Sequence, residues 1–412
     1  MTRASPPLRP RPDPRKFSRK RQGTAHWLLS SRAVDVSVAQ IYAMTDREAV
    51  DFCVAARWGS WDTISCPHCG TMAEHYWRPK DKRWLCRGCR KTFSVTSQTV
   101  FSKRKLRLQD LIAAVLMWIN SAGGQAALEL RRHTKTSYNT AFALQHKLRE
   151  ALVRGYNVGF LSGDVEIDGA HQSGREAKRK RGKPQVPPKE RPTPELQSML
   201  EQGQPPKRGQ RNAEFGWVMP KDRRILYSIR KRAGARGDGA IASRVAIGLD
   251  ESKDIATGVL IDFVAIPESY LNSDGAPAYE GIGGRFLGHR QVEHTKEFSG
   301  EAGQNNNQAE ELNWRMDRHE RGTYLRIQPK YMLDYATEVA FRSDTRRMPN
   351  GEQLKFVLNL ALNVGTSQFW AGFSRGHHRS HELLHPRPQP APASGPAKGR
   401  HPISSANGRP PR

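Results

Sequence analysis

Three folded modules between basic tails are what this sequence predicts: a small zinc-ribbon β domain, a helical helix-turn-helix-like region, and an α/β domain with acids at its strand ends. Three observations support that. Two C-x-x-C pairs, Cys66/Cys69 and Cys86/Cys89, have sixteen residues between their inner members. Apolar residues then recur at helical spacing from Leu106 onward to Val153. Beyond residue 160, stretches that alternate polar and apolar residues are interleaved with helical ones, the pattern of a layered α/β domain. The expected boundaries are a basic disordered arm over 1–37, the zinc ribbon with a preceding helix over 38–102, and the helical region over 103–158. The α/β domain follows over 159–366 with a basic insertion at 175–212, and a disordered basic tail closes the chain over 367–412.

Of 412 residues, 67 are Lys or Arg and 40 are Asp or Glu, a net charge of +27 that asks for a polyanionic partner. Its distribution says more than its total. Residues 1–25 and 175–212 each carry +7, and residues 376–412 carry +5. These segments are also rich in Pro and Gly, so they read as solvated arms that grip phosphate without regard to sequence. The longest apolar run, Leu111 to Ile119, is nine residues, far short of the roughly 20 of a membrane helix. A charged N-terminus without an apolar segment argues against a secretory signal. Two C-x-x-C pairs favour an intracellular metal site over a secreted disulfide scaffold.

Val38 to Arg57 has the apolar stripe of a helix, with Cys53 as a small core side chain. The spacing C-x2-C-x16-C-x2-C that follows is that of a zinc ribbon, in which Cys66, Cys69, Cys86 and Cys89 give one Zn²⁺ four thiolates. A redox dithiol is the weaker reading, because two separate pairs are present. His68 lies inside the first knuckle and reads as a surface residue, since four cysteines already complete the shell. Such a closed shell has a structural role only. Between the knuckles, His75 to Arg78 and Arg83 to Leu85 read as hairpin strands.

Leu108, Leu111, Ile112, Val115, Leu116 and Ile119 recur as the packing face of a helix. Ala126 to Arg132 and Thr136 to Val153 then read as two more helices joined at His133-Thr134-Lys135. That pattern resembles a helix-turn-helix, with Lys135, Thr136, Ser137 and Tyr138 as the DNA-contacting residues. Plain three-helix packing is the competing reading.

In Val165-Glu166-Ile167-Asp168 a strand would send both carboxylates to one face and both aliphatics to the other. Arg224 to Arg230 and Ser243 to Leu249 alternate as further strands, and Ser252 to Phe263 is a crossover helix to a strand that ends at Asp274. His289 to His294 is a fifth strand. A helix from about Asn305 to Glu320 carries Asn307, Glu310, Asn313 and Arg318, with asparagine as its cap. Two strand-end aspartates and a helix-borne oxygen ligand suit Mg²⁺ or Mn²⁺, hard cations held by carboxylates and substrate phosphate. Asp250 and Asp262 compete with Asp274. Asp274 is preferred because Gly275 beside it lets backbone and substrate approach closely.

The zinc knuckles, V-E-I-D at 165–168, S-D-G-A-P-A-Y at 273–279, H-x4-H at 289–294 and N-x-x-E at 307–310 together resemble bacterial insertion-sequence transposases with an N-terminal zinc ribbon and a DDE-type catalytic domain. The resemblance covers about residues 40 to 347. It implies a ribonuclease H-like fold for the α/β domain, with Asp168 and Asp274 holding catalytic magnesium or manganese. Asn307 would take the third position, with Glu310 as the neighbouring acid and its rival as ligand. The family commonly places a lysine further along this helix, where Arg318 stands here, and an acid after the first aspartate, where Gly169 stands. His294 is a lesser candidate for contacting phosphate or orienting water, with a structural histidine as the competing reading. The implied activity is a DNA transposase that binds element ends and performs metal-dependent cleavage and strand transfer. Its partners are double-stranded DNA, at element ends and target, and further copies of itself as a dimer or higher oligomer, with no membrane. The implied location is the bacterial cytoplasm, with the nucleoid. A regulator that only binds DNA, with an inert acidic domain, is the alternative, and a protein held to nucleic acid mainly by its arms is a second.

Overall fold

The computed structural model describes residues 27–173, 223–234, 239–292 and 306–385. The basic insertion 175–212 and His294 lie outside the described residues. Helices α1 (Val38–Ala43) and α2 (Asp46–Trp58) each start at a capping box, Ser37 with Gln40 and Thr45 with Glu48. In each, side chain and backbone satisfy one another's free amides. Strands β1 (Tyr76–Arg78), β2 (Arg83–Leu85) and β3 (Thr92–Phe93) form a small antiparallel sheet. Helices α3 (Leu108–Asn120), α4 (Ala127–Thr134) and α5 (Tyr138–Gly155) follow. The ribbon does not keep a core of its own. Cys66, Trp84, Cys86 and Phe93 belong to the same buried cluster as Val50 and Cys53 of α2, Ile112 and Leu116 of α3, and Leu148 of α5.

The C-terminal half is built on a five-stranded mixed sheet of β4 (Leu161–Ser173), β5 (Arg223–Arg232), β6 (Ala240–Gly248), β7 (Val264–Asp274) and β8 (Gly288–Val292), in the order β6-β5-β4-β7-β8. β4, β5 and β6 are antiparallel, whereas β7 runs parallel to β4 and β8 parallel to β7. Helix α6 (Lys253–Phe263) makes the crossover from β6 to β7 and packs on Val165, Ile167, Ile229 and Leu271. Helices α7 (Asn307–His319) and α8 (Met332–Asp344) cover the opposite face through Leu226, Val245, Leu312, Met316 and Val339. The strand alternation thus sends Val165 and Ile167 to the α6 side and Glu166 and Asp168 to the α7 side. The last helix, α9 (Asn350–Asn363), returns to pack on α2, α3 and α5.

Two expected tails are shorter than their composition suggests. Residues 27–37 are folded, with short helical turns at Trp27–Leu29 and Ser31–Ala33. Asp35 accepts the Gly351 amide at 2.6 Å, and Asn350 bonds the backbone of Asp35 and Val36. Residues 367–385 are also ordered. Trp370 is buried, Arg379 pairs with Asp334 at 2.8 Å in the interior, and Arg224 pairs with Glu382 at 2.5 Å. These ion pairs join positions far apart in sequence, which is why local composition does not show them.

Candidate acidic site and zinc centre

The four ribbon thiols converge. Cys66 and Cys89 sulfurs lie 3.8 Å apart, Cys69 and Cys86 3.6 Å, and all four fall within 4.8 Å of one another. Four thiolates at about 2.3 Å from one tetrahedral zinc would be separated by about 3.8 Å, so the donor set fits that ion. Each knuckle closes through an amide that donates back to the carbonyl of its first cysteine, Gly70 to Cys66 at 2.8 Å and Arg90 to Cys86 at 3.2 Å. Both closing residues have positive φ, which glycine adopts freely and arginine at a cost. The His68 ring bonds Gln98 at 3.2 Å and stands outside the sulfur cluster. Cys53 is a core residue whose thiol burial pushes up to about 12, so it has no redox role at neutral pH.

The second site lies where the β4–β7 ladder stops: β7 ends at Asp274, but β4 runs on past Asp168 to Ser173 beside β5, so Asp168, expected at a strand end, is an interior strand residue. Glu166 and Asn272 are an in-register pair of β4 and β7, and Asp168 and Asp274 each follow two residues later on the same face. Parallel neighbours are about 4.8 Å apart, so the two carboxylates flank one opening. Helix α7 brings the third acid, and Glu166 holds the helix there. The Glu166 carboxylate, buried and paired with Arg232 at 2.5 Å, accepts the amides of Gln308 at 2.7 Å and Ala309 at 3.0 Å. An anion at a helix N-terminus satisfies free amides and complements the dipole. The first turn of α7 is thereby tied to the strand that carries Asp168.

One turn on, Asn313 Nδ2 donates to Asp168 Oδ2 at 2.6 Å, and Ser228, directly opposite Asp168 on β5, donates to Asn313 Oδ1 at 2.6 Å. Burial pushes the Asp168 carboxyl up to about 6, with Asp274 and Glu310 adding to the rise against the Asn313 hydrogen bond. Asp274 and Glu310 are thus near enough for their charges to act on Asp168. Asp274 is half-buried and also accepts the Ala276 amide at 3.2 Å.

Asn307, expected as the third ligand, is exposed in the first turn of α7, whereas Glu310 is the residue whose charge Asp168 feels. Asp262 stands on α6 with His385 at 2.8 Å, not at the strand ends. Arg318 is exposed with its guanidinium 5.1 Å from the Trp314 ring. Lys135 forms the left-handed cap of α4, and the Ser137 hydroxyl caps α5 by accepting the Thr140 amide. Thr136 is half-buried and bonds Thr134 at 2.9 Å, while Tyr138 is exposed and stacks on Phe142. Beyond Thr140 no α5 side chain is fully exposed, so the exposed residues of this region are those of its first turn with the neighbouring Arg131, Arg132, His133 and Lys135.

One acid escaped the sequence reading. Glu251, in the turn before α6, reaches the site from the α6 side, next to Gly169 and Tyr279. Its neighbour Asp250 was weighed as a strand-end acid, and that run of acids after β6 was the available signal. Hard carboxylate oxygens and the buried, unpartnered Tyr279 hydroxyl make a donor set suited to divalent magnesium or manganese. Among the described residues only the thiols converge within 4.8 Å.

Residues 160–344 match the ISXO2-like transposase domain, and residues 44–92 match the transposase zinc-ribbon domain. No curated protein sequence matches the chain. No helix among the described residues is long and apolar enough to cross a membrane.

Proposed function

This chain belongs with the insertion-sequence transposases that carry an N-terminal zinc ribbon, and from that premise we propose that its acidic site cuts and rejoins DNA at the ends of such an element. The observation that carries the proposal is that Asp168 and Asp274 each stand two residues beyond the in-register pair Glu166 and Asn272 on neighbouring parallel strands, with Asp274 and Glu310 of α7 near enough for their charges to act on Asp168. The strand order, three antiparallel strands with two more parallel to the first, supports the ribonuclease H-like reading.

When bound, a pair of divalent cations would supply activation of the attacking oxygen and stabilisation of the leaving one. Asp168, Asp274 and Glu310 would be the carboxylates that hold them. Asn313 and Ser228 fix which oxygen of Asp168 faces the substrate. In the first step a water oxygen bonds to phosphorus, the bond from phosphorus to the 3′-oxygen breaks, and that oxygen leaves as a hydroxyl with a proton. In the second, that hydroxyl attacks a target phosphorus, displaces the target's 3′-oxygen and gives up its proton.

Duplex DNA, as element ends and as target, is the proposed partner, in a dimer or higher assembly within the cytoplasm. Arg131, Arg132 and Lys135 around the first turn of α5 are exposed cations suited to phosphate. The test is incubation of the full chain with Mg²⁺ and a supercoiled plasmid bearing the DNA that flanks its coding region. Metal-dependent strand transfer, abolished by Asp168→Ala while DNA binding persists, is the expected result. Specific binding without cutting or joining by the wild type would overturn the proposal and leave a DNA-binding regulator.

A further inference from the structure

Glu251 lies in the turn between β6 and α6, on the opposite side of the sheet from Glu310. Its carboxylate occupies the space that a side chain at position 169 would fill. A Cβ on Gly169 would stand 2.4 Å from Glu251 Oε1, 2.9 Å from Cδ and 3.1 Å from the Tyr279 hydroxyl. Glycine at 169, the residue after Asp168, therefore lets an acid from a distant loop come up against β4.

The surroundings of Glu251 do not compensate its charge. Burial, with the Asp274 and Asp168 charges adding to it, raises its pKa to about 7. The His171 ring is 4.0 Å away, but burial and Arg223 lower its basicity, so at neutral pH it brings no charge. A second, independent feature points into the same space. Tyr279 is fully buried, and its hydroxyl has no hydrogen-bond partner. Leaving such a group unpaired is destabilising, and a bound species that brings an oxygen shell would relieve it.

We propose that Glu251 is a fourth carboxylate of the acidic site, holding a divalent cation together with Asp168 and Asp274 from the α6 side, where the Tyr279 hydroxyl faces the same space. Glu310 then serves the other cation from the α7 side. The inference rests on the two-cation reading of the site given above.

The test is titration of the zinc-saturated full-length protein with Mn²⁺, read by calorimetry and by the paramagnetic resonance of free Mn²⁺, at constant pH and without DNA. Wild type is expected to bind two ions. Glu251→Gln should weaken one of them at least about tenfold, the scale on which supporting carboxylates act at metal sites. Gly169→Ala should do the same by displacing the Glu251 carboxylate, without touching a carboxylate itself. Circular dichroism and zinc content establish that each variant is folded. If wild type binds two ions and both variants titrate identically to it, Glu251 is no ligand and only this inference falls. If wild type and Asp168→Ala alike bind no Mn²⁺ beyond the zinc site, the two-cation reading itself falls and takes Glu251 with it.

Discussion

The side-chain amide of Asn313 donates to Oδ2 of Asp168 at 2.6 Å, and its carbonyl oxygen is held by the Ser228 hydroxyl at 2.6 Å. Because serine donates to the oxygen, the NH₂ group must face the aspartate. Asn313→Ala removes the donor and leaves the buried Ser228 hydroxyl unpaired, at a cost of about 1–3 kcal/mol. Strand transfer should fall about 10- to 100-fold, as for loss of a group that orients a metal ligand. Asn313→Asp should fall further, since it sets a second negative charge against Asp168. Plasmid strand-transfer rates beside thermal melts of both variants check this, and an active Asn313→Asp would contradict it.

Glu310 and Asn307 make opposite predictions. Glu310 is coupled to Asp168, whereas Asn307 is exposed one turn earlier. If Glu310 holds a catalytic cation, its loss forfeits part of the several kcal/mol that such an ion supplies, and Glu310→Gln should slow strand transfer by roughly three orders of magnitude. Asn307→Ala should stay within about tenfold of wild type, having lost at most about one such interval of 1.4 kcal/mol. The reverse ranking in the same assay would move the third ligand to Asn307.

Zinc removal should reach beyond the ribbon. Cys66, Trp84, Cys86 and Phe93 share a buried cluster with α2, α3 and α5, and structural zinc supplies on the order of 10 kcal/mol of folding free energy in small zinc domains. Chelation should therefore expose Trp84, packed at 5.7 Å from Trp58 and 4.7 Å from Trp77, and lower cooperative melting of the helical layer with it. Tryptophan emission and near-ultraviolet circular dichroism report this. Excess Mg²⁺ should not restore the signal, because thiolates select the softer ion.

Glu338 ties α8 to α5 through Arg149 at 2.6 Å, with both side chains buried, and Arg342 adds a bond at 2.7 Å. Burial pushes its pKa up, but Arg149 and Arg342 outweigh it and hold it down at about 2, against an ordinary 4.5. A depressed folded pKa gives stability that is complete above the unfolded value and is lost as pH falls from about 4.5 toward 2. Wild-type stability should decline in that window, and Glu338→Gln should flatten the decline. Glu338→Ala should cost about 3–5 kcal/mol at pH 7, because Arg149 is left buried without its partner. Denaturant melts across that pH range test both statements.

How much of this was readable in the sequence depends on the range of each interaction. The alternation of Val165 and Ile167 with Glu166 and Asp168 is local, and so is the C-x2-C spacing, and both appear in the fold as the residues imply. The Ser228–Asn313–Asp168 chain and the Glu166 cap on α7 join strands and a helix far apart in the chain, so no pattern within either segment carries them. Glu251 illustrates the limit best. Its place beside Gly169 depends on the crossover geometry of α6, and the glycine that makes room for it reads in sequence as a missing acid. The α5 periodicity is ambiguous in sequence, because it fits both groove insertion and the packing against α8 that buries most of its length.

The C-terminal segment gives a prediction that composition alone would reverse. Rich in Gly, His and Arg, residues 367–385 look dispensable, yet Trp370 stacks on the buried His146 ring at 4.2 Å and Arg379 neutralises Asp334. Asp334 also lies 3.4 Å from His146, whose pKa burial pushes down to about 4, so the histidine is neutral and cannot replace the guanidinium. Truncation after residue 366 should therefore strip an aromatic layer from α5 and α8 and leave a buried carboxylate uncompensated, a loss of about 3–5 kcal/mol from the ion pair alone. Truncation after residue 385 removes only the Pro- and Arg-rich end and should leave the melting temperature unchanged. Parallel melts of the two truncations with Arg379→Met decide the matter: equal stability of all three with full-length protein would show that the segment adds nothing to the fold.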